Sequence, residues 1–452
     1  MDIRPILAVR RRAVIPPSDS FQRPMLKLRR AIVLDADPPG DGPEQDLVIE
    51  LRDGAHSPEG WVGVGADAPA GVGNGRTGDR PESGRREAIA DVALVGRAEV
   101  GDEVVVNIQA RDLGLGSGGF DIVHVNLSRG LGGEEDEDPA CPARPNVMKL
   151  NYTSLQHAVE PVEEGLPAAL EIDQLERPVA VLALHGQLAA VAWAFAQALP
   201  GSRLGYVQTA GGALPGGHSR TVRSLRERGL LAGHLTAGAA FGGEGEAITT
   251  IGALHHGLRV LGWDAVVCGP GPGIVGSSSP LGHGGMSALD SAHAALALGA
   301  PTLLVARMSS GDPRARHRGI SHHTLTVLDL LLEPVTVALP AGMRSPVGAD
   351  LRAGLGAVFG GALPSRPALD LDVERPARIT RHDWRRATVD LPAYAAAGLS
   401  AETMGRGLTA DPLFFGAALA AGATLAELVG DVDRGEDGAG EVERPVASPR
   451  SL

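Results

Sequence analysis

The 452-residue chain alternates apolar and polar positions with two different periods. Up to about residue 130 the apolar runs are short, as in Ala31–Leu34, Asp46–Leu51 (DLVIEL), Ala90–Val95, Glu103–Ile108 (EVVVNI) and Phe120–Val125. No helical pattern separates them, which predicts a small antiparallel β-barrel or sandwich. From Val147 onward the pattern changes. Val179–Leu184 (VAVLAL), Leu204–Gln208, Ala265–Cys268, Thr302–Ala306 and Val335–Leu339 are continuous apolar runs, as in strands covered on both faces. Helical stretches lie among them, at Gly186–Leu199, Ser219–Leu231, Glu244–Trp263, Gly284–Leu298 and Ser321–Leu332, and two more follow at Ala393–Met404 and Asp411–Leu428. Strands alternating with helices predict a mainly parallel, three-layer, Rossmann-like α/β domain. The expected organisation is a flexible tail (1–25), a small β domain (26–130) and an acidic, Pro-rich linker (131–146). An α/β domain (147–428) and a disordered tail (429–452) complete it. A Gly-, Pro- and Asp-rich stretch at about 53–87 has no period and is expected to be a disordered insertion.

Composition narrows the function classes. A net charge of −13 and a pI near 5.5 argue against sequence-independent nucleic-acid binding, which needs a basic face. Two cysteines, Cys141 and Cys268, make no disulfide framework and no cysteine-based zinc site. No signal segment and no run of about 18 apolar residues is evident, so no membrane span is expected and a cytoplasmic location is the default.

Candidate chemistry gathers where strands end. Parallel sheets place ligand sites outside the carboxyl ends of their strands. Four predicted strands run into distinctive loops: His185-Gly186, Thr209–Gly212, the glycine loop Gly269–Ser279, and Met308–His323 (MSSGDPRARHRGISHH). The last holds one aspartate, three arginines and three histidines within sixteen residues. His185, Asp312, His322 and His323 are the candidate acid–base groups. Gly271, Gly273, Gly276, Ser277 and Ser278 form a candidate anion loop, with Arg314 and Arg316 as guanidinium forks. If the segment is extended, Arg314, Arg316 and Arg318 share one side. For a metal the candidates are His283, Asp312, His317 and His322, although H-x4-H-H is no standard ligand spacing. Ser321 is placed to cap the following helix, which would keep His322 and His323 neutral in its first turn.

Three blocks, LGYVQTAGGALP (Leu204–Pro215), VVCGPGPGIVGSSSPLGHGG (Val266–Gly285) and ARMSSGDPRARHRGISHHTL (Ala306–Leu325), carry a resemblance together with AETMGRG (Ala401–Gly407) and DPLFF (Asp411–Phe415). They resemble an uncharacterised bacterial domain-of-unknown-function family, mostly of Gram-positive lineages, over roughly residues 90–425. The resemblance implies no particular activity, cofactor or site residue. The expectation is an enzyme acting on a small anionic or phosphorylated ligand, by His/Asp acid–base or metal-assisted chemistry. A non-catalytic binding or regulatory protein, or a structural homo-oligomer, are the alternatives.

Overall fold

A computed structural model describes residues 26–38, 42–52, 84–113, 119–129, 147–164, 175–277, 279–341 and 374–439. The expected tail at 1–25, the linker at 131–146, Cys141 and most of the 53–87 stretch lie outside the described residues. The end of that stretch does not match the expectation, because a strand already begins at Arg85.

Five strands form a closed barrel: β1 (Leu28–Ala36), β2 (Glu44–Leu51), β3 (Arg85–Asp91), β4 (Glu103–Asn107) and β5 (Asp121–Asn126), in the order β1-β2-β3-β5-β4. Four of the pairings are antiparallel, and β3 meets β5 in parallel to close the ring. Strict alternation points Ala31, Val33, Leu47, Ile49, Val104 and Val106 inward, so the barrel has its own core. Closure removes the exposed edges that a five-strand sandwich would leave.

A short antiparallel pair, β6 (Val147–Lys149) and β7 (His157–Val159), precedes the second domain. There the strands are β8 (Val179–Leu182), β9 (Leu204–Thr209), β10 (Gly233–Ala237), β11 (Gly245–Ala247), β12 (Ala265–Pro270) and β13 (Thr302–Val305). A two-residue pair follows, β14 (Met308–Ser309) with β15 (Gly319–Ile320), then β16 (Thr336–Pro340) and β17 (Asp383–Ala387). Eight of them make one sheet, ordered β11-β10-β9-β12-β8-β13-β16-β17, and every pairing is parallel. Helices cover both faces. Val179 and Val181 of β8 pack with Ala253, Ala292 and Leu328 on one side. Ala180 and Leu182 pack with Val191, Phe195 and Leu419 on the other.

Several elements escaped the pattern. β10 begins Gly-His and β11 is three residues long, so neither shows an apolar run. The stretch expected as one helix over Glu244–Trp263 is β11, a helix Thr250–His255 and a π turn His256–Val260. The helix expected at Ala393–Met404 stops at Ala396, and the chain then turns through β18 (Glu402–Thr403) and β19 (Arg406–Gly407). The last helix, Pro412–Ala439, runs well past residue 429, where a disordered tail was expected. Its Pro412–Asp433 part is long and apolar enough to cross a membrane by length and composition, and 83% of the qualifying window is buried inside the fold. A strict count of uninterrupted apolar residues overlooks it because Thr424 and Glu427 break the run.

Trp263 shows how small residues set the packing. Its ring lies against backbone at Gly205 of β9, and a Cβ there would sit 1.8 Å from it. Gly205→Ala is expected to lower the unfolding free energy by about 1–3 kcal/mol, as overpacking does. In urea titrations the Gly205→Ala/Trp263→Leu double variant should lose less than the two single losses combined. Strict additivity would show that the ring is not the cause.

Candidate functional site

All-parallel pairing delivers the loops after β8, β9, β12 and β13 to one edge of the sheet. Within that edge the chain builds two adjoining polar clusters.

The larger cluster is made by the excursion between β14 and β15. This pair, in register Met308↔Ile320 and Ser309↔Gly319, clamps the two ends of a loop and lets its middle fold inward. Asp312 is completely buried. Its carboxylate accepts from Arg314 Nε at 3.0 Å and Nη2 at 2.9 Å, and Arg406 Nη2 (3.4 Å) and Arg307 Nη2 (3.6 Å) also reach it. Burial pushes this carboxyl up, and Arg314 outweighs it, leaving the group at about 2. Asp411 is buried beside it and accepts from Ser309 Oγ (2.6 Å), Ser310 N (2.7 Å) and Arg406 Nε (3.1 Å). Against these guanidiniums lie four imidazoles. His322 and His323 have ring centres 4.4 Å apart, and His317 is 4.9 Å from each. His283, from the loop after β12, stacks on His323 at 3.5 Å. Ser321 caps the helix His322–Leu330 as the sequence predicts, accepting from His323 N at 3.2 Å. Its hydroxyl also lies 2.8 Å from His317 Nδ1.

Every imidazole here is held neutral. Burial, then the positive charge of Arg307, pulls His317 down to about 2. Burial and Arg316 pull His322 down to about 4. His323 and His283 move the same way, chiefly through burial. Both ring nitrogens of His283 and Nε2 of His322 are buried without a hydrogen-bond partner. Buried polar atoms left open in this way are candidate ligand contacts.

For a metal, His317, His322 and His323 can offer one nitrogen each, all within 4.8 Å of one another. Two features weigh against a bare dication. Asp312, a candidate ligand by sequence, is committed to guanidiniums. Arg307 Nη1 donates to His323 Nδ1 at 2.8 Å, which leaves the proton of that neutral ring on Nε2. The net positive surroundings suit an anion better.

The arginine spacing works differently from the expectation. Ala315–His317 is a 3-10 turn, so Arg314 turns in to Asp312, Arg318 Nε binds the Asp312 carbonyl at 2.9 Å, and Arg316 stays exposed. The glycine loop also differs in what it offers. Gly271 and Gly212 meet backbone to backbone, and a Cβ on Gly212 would lie 2.2 Å from the Gly271 carbonyl. Ser277 gives its amide and its hydroxyl to the Gly282 carbonyl, and Gly276 bridges to His283. The loop is a hairpin that carries His283 into place, with the Ser277 amide already bonded. Gly273 has a positive φ of 73° within it. Ser278 lies outside the described residues.

His185 sits on the same edge but opens the other way. It is buried, and burial lowers it to about 4 against the raising effect of the Pro270 carbonyl. Its Nε2 lies 2.7 Å from Ser219 Oγ, and its Nδ1 is 3.3 Å from the Pro270 carbonyl and 3.2 Å from the Tyr206 hydroxyl. His234, lowered by burial to about 3, stacks on Tyr206 at 5.2 Å. A cavity of about 950 Å³ between barrel and sheet is lined by His185 and Ser219, and by none of the guanidinium-cluster residues. The candidates therefore share a rim and divide between two faces of it.

Sequence reading missed Arg307, Arg406, Asp411, Ser219, Tyr206 and His234. Arg307, Arg406 and Asp411 all stand in the quoted blocks, yet only the fold brings Arg406 onto Asp312 beside Arg307, with Asp411 held on Arg406. Ser219 stands in PGGHSR, which matches no nucleophile motif.

An α/β protein with a barrel in front of a parallel sheet, and with imidazoles and guanidiniums clustered at the carboxyl edge, is the class these features define. The chain belongs to the family described as "Protein of unknown function (DUF3866)", whose model matches residues 87–422. Neither the curated proteins nor the solved structures give a match.

Two outcomes follow from these charges. Asp312→Asn leaves Arg307 buried without its counter-ion, and the variant should lose about 3–5 kcal/mol in denaturant unfolding. Acid should also destabilise the wild type early. His185, His234, His317 and His322 bind protons below about 6.5 once unfolded, but in the folded state only near 4, 3, 2 and 4. The unfolded chain is then the better proton binder, so stability is full above pH 6.5 and falls as pH drops. Each such histidine contributes about 1.4 kcal/mol per pH unit below that point. Asp312 adds a further loss as pH falls from 3.8 toward about 2. Thermal midpoints measured from pH 7.5 to 4.5 should fall steeply below pH 6.5, and a flat profile would contradict the assignment of neutral imidazoles.

Proposed function

We propose that the protein is a bacterial, cytoplasmic enzyme of doubly wound, Rossmann-like architecture that acts on a small anionic molecule, carrying a phosphoryl or carboxylate group, at the imidazole–guanidinium cluster. One observation carries the reading. Four histidines are neutral inside a nest whose fixed charge is positive, with unpartnered nitrogens at His283 and His322. A neutral imidazole is the form that accepts a proton or attacks an electrophile, and guanidiniums are the groups that hold an oxyanion. Arg314, whose side chain is 39% exposed, and the exposed Arg316 supply the outer face for the ligand. Arg307 and Arg406, held on Asp312 and Asp411, keep the inner face positive. His322 is the proposed proton acceptor, because its Nε2 is unpaired and burial, with Arg316 nearby, keeps the ring uncharged. His317 is oriented by Ser321 and supports it.

A metal-assisted version is a second reading, favoured by the three nitrogens within 4.8 Å of one another. It requires His323 to release Arg307, so the ion would arrive with the anion rather than before it. Thermal shift and calorimetry with inorganic phosphate and a panel of phosphorylated and carboxylated metabolites separate the cases. Stabilisation by an anion alone is expected, with Arg316→Ala weakening binding by about 10- to 100-fold, the size of a lost charge-assisted bond of ~1.5–3 kcal/mol. Response to an anion only when zinc is also present would favour the metal reading. No response to any anion, with or without zinc, would remove the proposal.

A further inference from the structure

Ser219, His185 and the Pro270 carbonyl line up as a hydroxyl–imidazole–carbonyl relay at the wall of the cavity between barrel and sheet, remote in chemistry from the guanidinium cluster. Its polarity follows from the hydrogen bonds. The Tyr206 hydroxyl carries one proton and faces two carbonyls, Pro270 at 3.0 Å and Gly269 at 3.2 Å, which accept only. Its oxygen therefore presents a lone pair to His185 Nδ1. The Pro270 carbonyl, 3.3 Å from the same nitrogen, is an acceptor as well. Nδ1 faces only acceptors and carries the ring proton. Nε2 then holds the free lone pair, and the Ser219 hydroxyl donates to it across 2.7 Å. Burial keeps the ring neutral at pH 7, the state in which it can take that proton.

We infer that Ser219 is an activated nucleophile, with His185 as its general base and the Pro270 carbonyl and Tyr206 as the positioning groups, acting on a small uncharged or cationic ester bound between barrel and sheet. Ser219 stands at the N-cap of the helix Arg220–Glu227 and accepts from Val222 N at 3.1 Å. The first amides of that helix have no intrahelical partner, and their positive end favours the anionic character that Ser219 Oγ gains as its proton leaves. The cavity wall explains the substrate class. Val48, Ile89 and Ile122 of the barrel with Leu214 and Phe241 of the sheet domain make it largely apolar. Asp35, Asp37 and Glu87 also line it, which opposes a carboxylate-bearing ligand. This preference is opposite to that of the guanidinium cluster, so the two sites are chemically separate.

The chemistry balances without a co-reactant other than water. Ser219 Oγ bonds to the ester carbonyl carbon and its proton passes to His185 Nε2. The carbon–oxygen bond to the alcohol breaks, and the alcohol leaves with that proton. Water, deprotonated by His185, then attacks the acyl-serine; the acyl–Oγ bond breaks, the acid leaves, and Ser219 Oγ takes back the proton from His185.

A fluorophosphonate probe reads the first step directly, since Ser219 Oγ would bond to phosphorus as fluoride leaves. Intact-mass analysis of the full chain should show one adduct, mapped by peptide sequencing to Ser219. Ser219→Asn, which keeps a capping side chain, should abolish labelling, and His185→Gln should slow it at least about 100-fold. Short-chain 4-nitrophenyl esters should be hydrolysed by the wild type and not by Ser219→Asn. A wild-type chain that takes no adduct at Ser219, or that labels equally fast as His185→Gln, overturns the inference. Phosphate binding read in the same samples stays intact in either case, so failure here is distinct from failure at the guanidinium cluster.

Discussion

A parallel strand cannot be followed by its neighbour without a crossover, and this constraint governs the molecule. Each strand of the eight-stranded sheet enters from the same end and leaves at the same edge. His185, the Gly269–Gly285 loop and the Met308–His323 excursion belong to three different crossovers of the chain. They meet because strands β8, β12 and β13 are adjacent in the sheet. Both polar clusters depend on that adjacency. His283 reaches His323 only because β12 and β13 flank β8, and His185 reaches Pro270 because β8 pairs with β12.

Burial then decides the chemistry of each cluster. Asp312 and Asp411 are wholly enclosed and would be costly alone. Three guanidiniums and a set of backbone and serine donors compensate them, while burial, aided by Arg307, keeps the neighbouring imidazoles uncharged. A cluster with many titratable groups thus has a single charge state near neutral pH. In the second cluster no ion takes part. Carbonyl oxygens fix the tautomer of His185, and a helix start fixes Ser219.

Glycines join the two clusters mechanically. The loops after β9 and β12 touch at Gly212 and Gly271, closer than any side chain permits. The barrel completes the arrangement. Arg223 pairs with Glu44, and Arg220 reaches Asp46 at 3.2 Å, which holds β2 against the helix that begins at Ser219. The barrel is therefore a wall of the cavity as well as a separate folding unit.

Patterning alone was enough to separate a strand-only N-terminal region from an alternating α/β region, because burial on one face or two leaves periods of two or unbroken apolar runs. The same logic picked out the polar strand ends, Ser321 as a cap, and His185, Asp312, His317, His322 and His323 as groups worth attention. It could not reach β10 and β11, whose glycines and histidine are tolerated only because Trp263 and neighbouring strands cover them. It also could not say that the barrel closes, that Ala315–His317 coils and scatters three arginines, or that Arg406 travels from the C-terminal hairpin to Asp312. Nor could it see that His185 turns away from the other histidines toward Ser219. Local composition records which residues prefer water and which prefer a turn. Partners distant in the chain are chosen by strand order and by the need to neutralise buried charge, and those exist only once the chain has folded.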